Sequence, residues 1–134
     1  MSTILAIETL DHKVAYEPGE PIDGIVSWSF DGEARDLELR LLWYTSGKGD
    51  RDSAAHDIVR FEGPELTDAQ PFSFTAPRGP YSFSGKLITL TWALELVVNK
   101  DKTAFARQEI VIAPGGREVS PGRRHEGPTD EAGT

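Results

Sequence analysis

Between Ile88 and Val98 apolar and mixed positions alternate without a break. Ile88, Leu90, Trp92, Leu94, Leu96 and Val98 take every second place, with Thr89, Thr91, Ala93 and Glu95 between them. Successive side chains of a strand point to opposite faces, so this run builds one greasy face and one mixed face. A helix would scatter the same residues around its whole circumference. The stretch from Pro80 to Val98 therefore predicts a long central strand. Gly85 near its start permits a bend or a tight backbone approach. Pro77, Gly79 and Pro80 upstream force an extended, irregular lead-in.

The same period recurs along the chain. Ile4 to Leu10 predicts a first strand, with Ile4, Ala6 and Glu8 facing one way and Leu5 and Ile7 the other. A short strand over Lys13 to Tyr16 runs into Glu17-Pro18-Gly19-Glu20-Pro21. There Pro18 presets φ at the second position of a type II turn, and Gly19 supplies the positive φ needed at the third. Ile22, Gly24, Val26, Trp28 and Phe30 form the inner row of the next strand, and Gly24 marks a bulge or a close packing point. Asp31-Gly32 predicts a hairpin. Beyond it Leu37, Leu39, Leu41 and Trp43 share one face, opposite Glu38, Arg40, Leu42 and Tyr44.

Ser46 to Ser53 is polar and glycine-containing, which predicts a loop. A weaker strand follows around Ile58, Val59 and Phe61, then a Gly63-Pro64 turn and a short strand carrying Phe72, Phe74 and Ala76. After the central strand, Asn99-Lys100-Asp101-Lys102 predicts a turn and Thr103 to Ala113 a last strand. On it Ala104, Ala106, Ile110 and Ile112 lie opposite Arg107 and Glu109. About eight strands with short connections and no amphipathic helix indicate an all-β, two-sheet antiparallel sandwich over residues 1–113. From Pro114 to the last residue, 134, the chain turns polar and rich in Gly and Pro, with Val119 its last large apolar residue. That predicts a flexible tail.

Composition sharpens the picture in three places. A chain of 134 residues suits one domain, which can bury roughly two-thirds of its unfolded surface. Cys is absent, which excludes disulfides, thiol nucleophiles and thiolate metal sites and fits a reducing cytoplasm. The formal net charge of −8 disfavours nucleic acid and anionic membrane as main partners. No apolar run long enough to span a membrane is present, and no secretion signal opens the chain.

Candidate chemistry is sparse. Asp50, Asp52 and Asp57, with His56 among them, form an acidic segment able in principle to hold calcium. They lack the ligand order of an EF-hand loop. Ser46-Gly47-Lys48 misses the upstream glycine of a phosphate-binding loop. His12, His56 and His125 are scattered, so neither a metal cluster nor a catalytic triad is legible, and no cofactor signature appears. Trp28, Trp43 and Trp92 all fall on inner rows and read as core, with a contact anchor as the alternative for one at an open edge.

Two segments resemble the arrestin family. Tyr16-Glu17-Pro18-Gly19-Glu20-Pro21-Ile22-Asp23-Gly24-Ile25-Val26 is similar to the arrestin opening, where a tyrosine, a Pro-Gly-Glu turn and a spaced glycine lead into a strand. Pro80-Tyr81-Ser82-Phe83-Ser84-Gly85 is similar to the segment that enters the long strand beyond it. Their order and separation match the N-terminal lobe of arrestin-like proteins, a group that includes arrestin-domain adaptors and bacterial sporulation-control proteins. The resemblance covers residues 4–113 and implies a single arrestin-like, immunoglobulin-like sandwich with an adaptor or scaffold role. The basic residues with which the first arrestin strand senses receptor phosphate have no counterpart, since Ile4 to Leu10 contains no Lys or Arg. Phosphoreceptor recognition is therefore not implied.

Two functional classes follow. The leading one is a non-enzymatic interaction module that binds a protein partner or a second copy through a sheet edge. The final strand is the candidate, with Arg107, Glu109 and Val111 as contact residues, because it carries few charges to discourage pairing. The alternative is a ligand-binding sandwich, for a carbohydrate or calcium, with residues 46–57 as the site.

Overall fold

The protein is described here by a computed structural model covering residues 3–47, 52–85, 87–99 and 101–116. Among the described residues nine strands run in chain order: β1 (Ile4–Thr9), β2 (Ala15–Tyr16), β3 (Pro21–Ser29), β4 (Leu37–Gly47), β5 (Ser53–Phe61), β6 (Thr67–Thr75), β7 (Phe83–Ser84), β8 (Ile88–Val98) and β9 (Asp101–Ile112). Two single 3₁₀ turns, Leu10–His12 and Pro114–Gly116, lie among the connections of the described residues. The strands form two sheets. One has three strands in the order β1-β3-β6, and the other runs β2-β9-β8-β4-β5 with β7 beside β8.

The alternation explains the layers. Val26, Trp28, Leu39, Leu41, Leu90, Trp92 and Leu94 are all buried between the sheets, as their spacing predicts. A register slip of one residue would turn each outward. Each such side chain contributes about 1.5–3 kcal/mol on burial. The polar atoms of the two largest are satisfied. Trp28 Nε1 donates to the Glu65 carbonyl at 2.9 Å and Trp92 Nε1 to the Pro80 carbonyl at 2.7 Å. Trp43 is only half-buried, in the interior strand β4.

Both predicted backbone devices are present. Gly19 has φ +87°, and the Glu20 amide donates to the Glu17 carbonyl at 3.0 Å, closing the turn before β3. Gly24 is a packing point and not a bulge, since β3 keeps unbroken register with β1 and β6. A Cβ there would stand 2.4 Å from the Glu8 carbonyl oxygen and 2.7 Å from the Phe72 ring.

Three expectations change. Asp31-Gly32 does not make a hairpin, because β3 and β4 lie in different sheets and the connection crosses the sandwich. The Phe30 amide donates to the Leu66 carbonyl at 2.8 Å and the Asp31 amide to Thr3 Oγ1 at 3.2 Å, tying the end of β3 to its own sheet. A turn dipeptide reverses the chain locally and does not choose the sheet the next strand joins. Second, the two ends of the expected 46–53 loop are strand, because β4 runs on through Gly47 and β5 begins at Ser53. The Thr45 amide donates to the Asp52 carbonyl at 2.8 Å, which carries the contact between β4 and β5 one step past the Tyr44–Ser53 pair, while residues 48–51 lie outside the described residues. Third, β9 starts at Asp101, placing Val98 opposite Asp101 across a tight connection. Of the expected tail over residues 114–134, Pro114–Gly116 form the second 3₁₀ turn and residues 117–134 lie outside the described residues.

Candidate interaction surfaces

A sandwich of this topology leaves outer strands whose free backbone groups invite pairing. β6 is blunted by Pro71, which has no N–H to offer. β5 is interrupted by a bulge. Leu41 faces Asp57 and Leu42 faces Ala55, so His56 is the extra residue. Its ring meets the Trp92 indole edge-on at 6.0 Å between centroids.

The last strand is open over part of its length only. Val111 N–H donates to the Val14 carbonyl at 2.7 Å, and Ala113 N–H to Tyr16 at 3.1 Å. The segment 14–16 thus covers the end of β9, and Val111 is not at a free edge. From Phe105 to Glu109 β9 is in register with β8 on one side and with no strand on the other among the described residues. Amides alternate sides along a strand, so those of Arg107 and Glu109 point the same way as that of Val111. Gln108 Nε2 caps the Glu109 carbonyl at 2.9 Å.

The side chains of Arg107 and Glu109 lie on the outer face of the sheet and leave the backbone edge uncovered. Arg107 donates to Glu95 Oε2, with Nη2 at 2.7 Å and Nε at 3.2 Å. It also stacks over the Tyr44 and Phe105 rings at 5.3 and 5.6 Å. The Tyr44 hydroxyl donates to Glu109 Oε2 at 3.0 Å. Glu95 raises the Arg107 pKa above its ordinary value, and burial followed by Glu109 raises that of Tyr44. Beside them Glu38 accepts from both Arg40 and Arg60, and the Arg40 guanidinium above all holds its carboxyl below the usual range. This face is laced with ion pairs, one within β4 and others between neighbouring strands.

Among the described residues the acidic segment is represented by Asp52 and Asp57, which do not converge. Asp50 lies outside the described residues. Asp52 and Asp57 stand five residues apart on one extended stretch, about 16 Å at strand rise. The Asp52 carboxylate accepts from the Ser53 amide at 3.1 Å and that of Asp57 from the Ile58 amide at 2.9 Å. Among the described residues no group of three or more His, Asp or Glu is disposed to hold a metal. His12 and His56 belong to different parts of the sandwich, in the turn after β1 and on β5. Among the described residues no helix is long and apolar enough to cross a membrane.

One feature was not foreseen from the sequence. A cleft of about 740 Å³ opens on the outer side of the three-stranded sheet, walled by the turn Leu10–His12. Ile25 and Leu10 line it, 50 % and 61 % exposed, together with Pro71, Glu8, Asp11 and Asp23. The wall is held by two consecutive left-handed residues, Asp11 at φ 56° and His12 at φ 55°. The available signal was that β1, β3 and β6 contain no Lys or Arg at all.

These sheets, their order and their connections define an arrestin-like β-sandwich. Among solved structures the chain is similar to the crystal structure of Spo0M, a sporulation control protein from Bacillus subtilis, with a TM-score of 0.57. The two are 22 % identical in sequence, and the likeness is one of fold. The match covers 84 % of this chain and 49 % of Spo0M, so the chain spans about half the length of that protein. No family model matches the chain, and no curated protein matches it in sequence.

Proposed function

We propose that this chain is a non-enzymatic interaction module, an adaptor or scaffold that engages a protein partner or a second copy through the open edge of β9. The module spans residues 1–113, residues 114–134 form a polar extension, and a reducing cytoplasm is its setting. One observation carries this reading. Among the described residues the backbone of β9 between Phe105 and Glu109 is paired on one side only, while Arg107 and Glu109 are held on the sheet face by Glu95 and Tyr44. An extended segment adding there gains main-chain hydrogen bonds without displacing either side chain, and has only the Gln108 amide to displace from the Glu109 carbonyl. Of the three candidate contact residues Arg107 and Glu109 remain, because Val111 already donates to Val14.

The test separates backbone from side chain. Arg107→Pro removes an outward N–H, whereas Arg107→Ala removes only the guanidinium. Sedimentation at micromolar concentration and pull-down from the native host are expected to show association lost in Arg107→Pro and kept in Arg107→Ala. Retention of both self-association and partners by Arg107→Pro overturns the edge reading.

A further inference from the structure

The two outer faces of the sandwich are dressed in opposite ways. On the larger sheet Arg40, Arg60 and Arg107 are each paired with a carboxylate of a neighbouring position. On the smaller sheet cations are absent, because β1, β3 and β6 contain no Lys or Arg. Its outward charges are the carboxylates of Glu8 and Asp23, joined at the cleft wall by Asp11. A solvated sheet face ordinarily mixes both signs. This one is small-featured, acidic and partly apolar.

We propose that the outer face of the three-stranded sheet is a docking surface for a short basic segment of a partner protein, one with Lys or Arg next to a branched apolar side chain. The proposal rests on the interaction-module reading and assigns it a second surface and a partner chemistry. Three features select that occupant. The cleft offers apolar area on Ile25, Leu10 and Pro71 for one or two side chains. Carboxylates surround that area. Asp23 is steadied by the Ser73 hydroxyl, which donates at 2.5 Å, and Glu8 has His12 as its ion-pair neighbour at 3.7 Å, charged only when protonated. Beyond the cleft Ala6, Ser27 and Ala69 lie in register across all three strands. That transverse row of small side chains lets an approaching backbone come close.

A second copy of this chain is the poorer occupant. Two-fold pairing through this face would set Glu8 and Asp23 of one copy against the same carboxylates of the other, and like charges across an interface are unfavourable. The overall charge of −8 adds to that repulsion.

The experiment follows the backbone amides of the isotope-labelled full chain by NMR during titration with a short peptide alternating lysine and leucine. A peptide alternating glutamate and leucine and the polyamine spermidine serve as controls. Saturable shifts at Leu10, Ile25 and Ser73 with the lysine peptide alone are expected. The double variant Glu8→Gln/Asp23→Asn is expected to weaken binding by about tenfold, and Ile25→Lys to abolish it. Unchanged spectra away from the cleft establish that both variants fold. Equal binding of the glutamate peptide or of spermidine overturns the proposal, as does an unshifted cleft or a wild type that dimerises through this face. An unshifted cleft together with partner loss in Arg107→Pro sinks this proposal and leaves the edge reading standing.

Discussion

Ser82 and Ile112 are joined by two hydrogen bonds. The Ser82 amide donates to the Ile112 carbonyl at 2.9 Å, and the Ile112 amide donates to Ser82 Oγ at 3.0 Å. The pair closes a seam in the larger sheet. β9 leaves β8 at Ile110, opposite Trp92, and β7 takes up the pairing at Leu90. Ser82 bridges that change of partner, and Trp92 reinforces it by donating to the Pro80 carbonyl. The Pro80 to Gly85 segment thus owes its composition to a joint between strands.

Ser82→Ala is expected to destabilise the fold by roughly 1–3 kcal/mol, because the buried Ile112 amide loses its acceptor. Urea denaturation measures it. A cost below about 0.5 kcal/mol means that water or another acceptor replaces the hydroxyl.

Gly24→Ala is expected to cost about 1–3 kcal/mol or more. The new methyl would meet the Glu8 carbonyl, a backbone atom that cannot swing aside, as well as the Phe72 ring. A melting temperature equal to wild type would show that β1 shifts freely against β3.

Acid stability is expected to depend on Glu38. Its folded pKa is lowered from 4.5, first by Arg40 and then by Arg60. A depressed carboxylate contributes stability that is fully present above the unfolded value and is lost as pH falls through the folded one. The contribution is small at a partly exposed site, on the order of 1 kcal/mol or less. Melting curves taken from neutral pH down to below 4.5 are therefore expected to fall less steeply for Glu38→Gln than for wild type. Parallel curves for the two proteins would remove Glu38 from the acid response.

Removal of residues 117–134 is expected to shift the melting temperature by less than about 2 °C, given how little apolar surface that segment offers. A drop of several degrees in differential scanning calorimetry places the domain boundary further along the chain.

Much of the architecture was legible in the chain because it is local. Period-two alternation is a property of a strand alone, so the inward rows through Leu39 and Leu41 and through Trp92 and Leu94 could be read directly. The type II turn at Pro18-Gly19 was equally local, since φ preferences belong to single residues. Gly24 in an inward row announced a close approach, though not the identity of Phe72 as its neighbour.

What stayed hidden depends on partners distant in sequence. Asp31-Gly32 announces a reversal, yet the sheet that Leu37 joins is decided by β8, more than fifty residues later. Val111 looked open because Val14, which covers it, sits at the other end of the chain. Arg107 and Glu109 read as contact residues of an edge, and only β4 and β8 place Tyr44 and Glu95 beside them and hold them on the sheet face. The acidic cleft needs β1, β3 and β6 side by side before Glu8, Ile25 and Pro71 become neighbours. Alternation alone determined which residues face inward; only long-range pairing decided which edges stay open and which outward residues meet, because each such contact joins segments whose local conformation is the same whatever lies next to them.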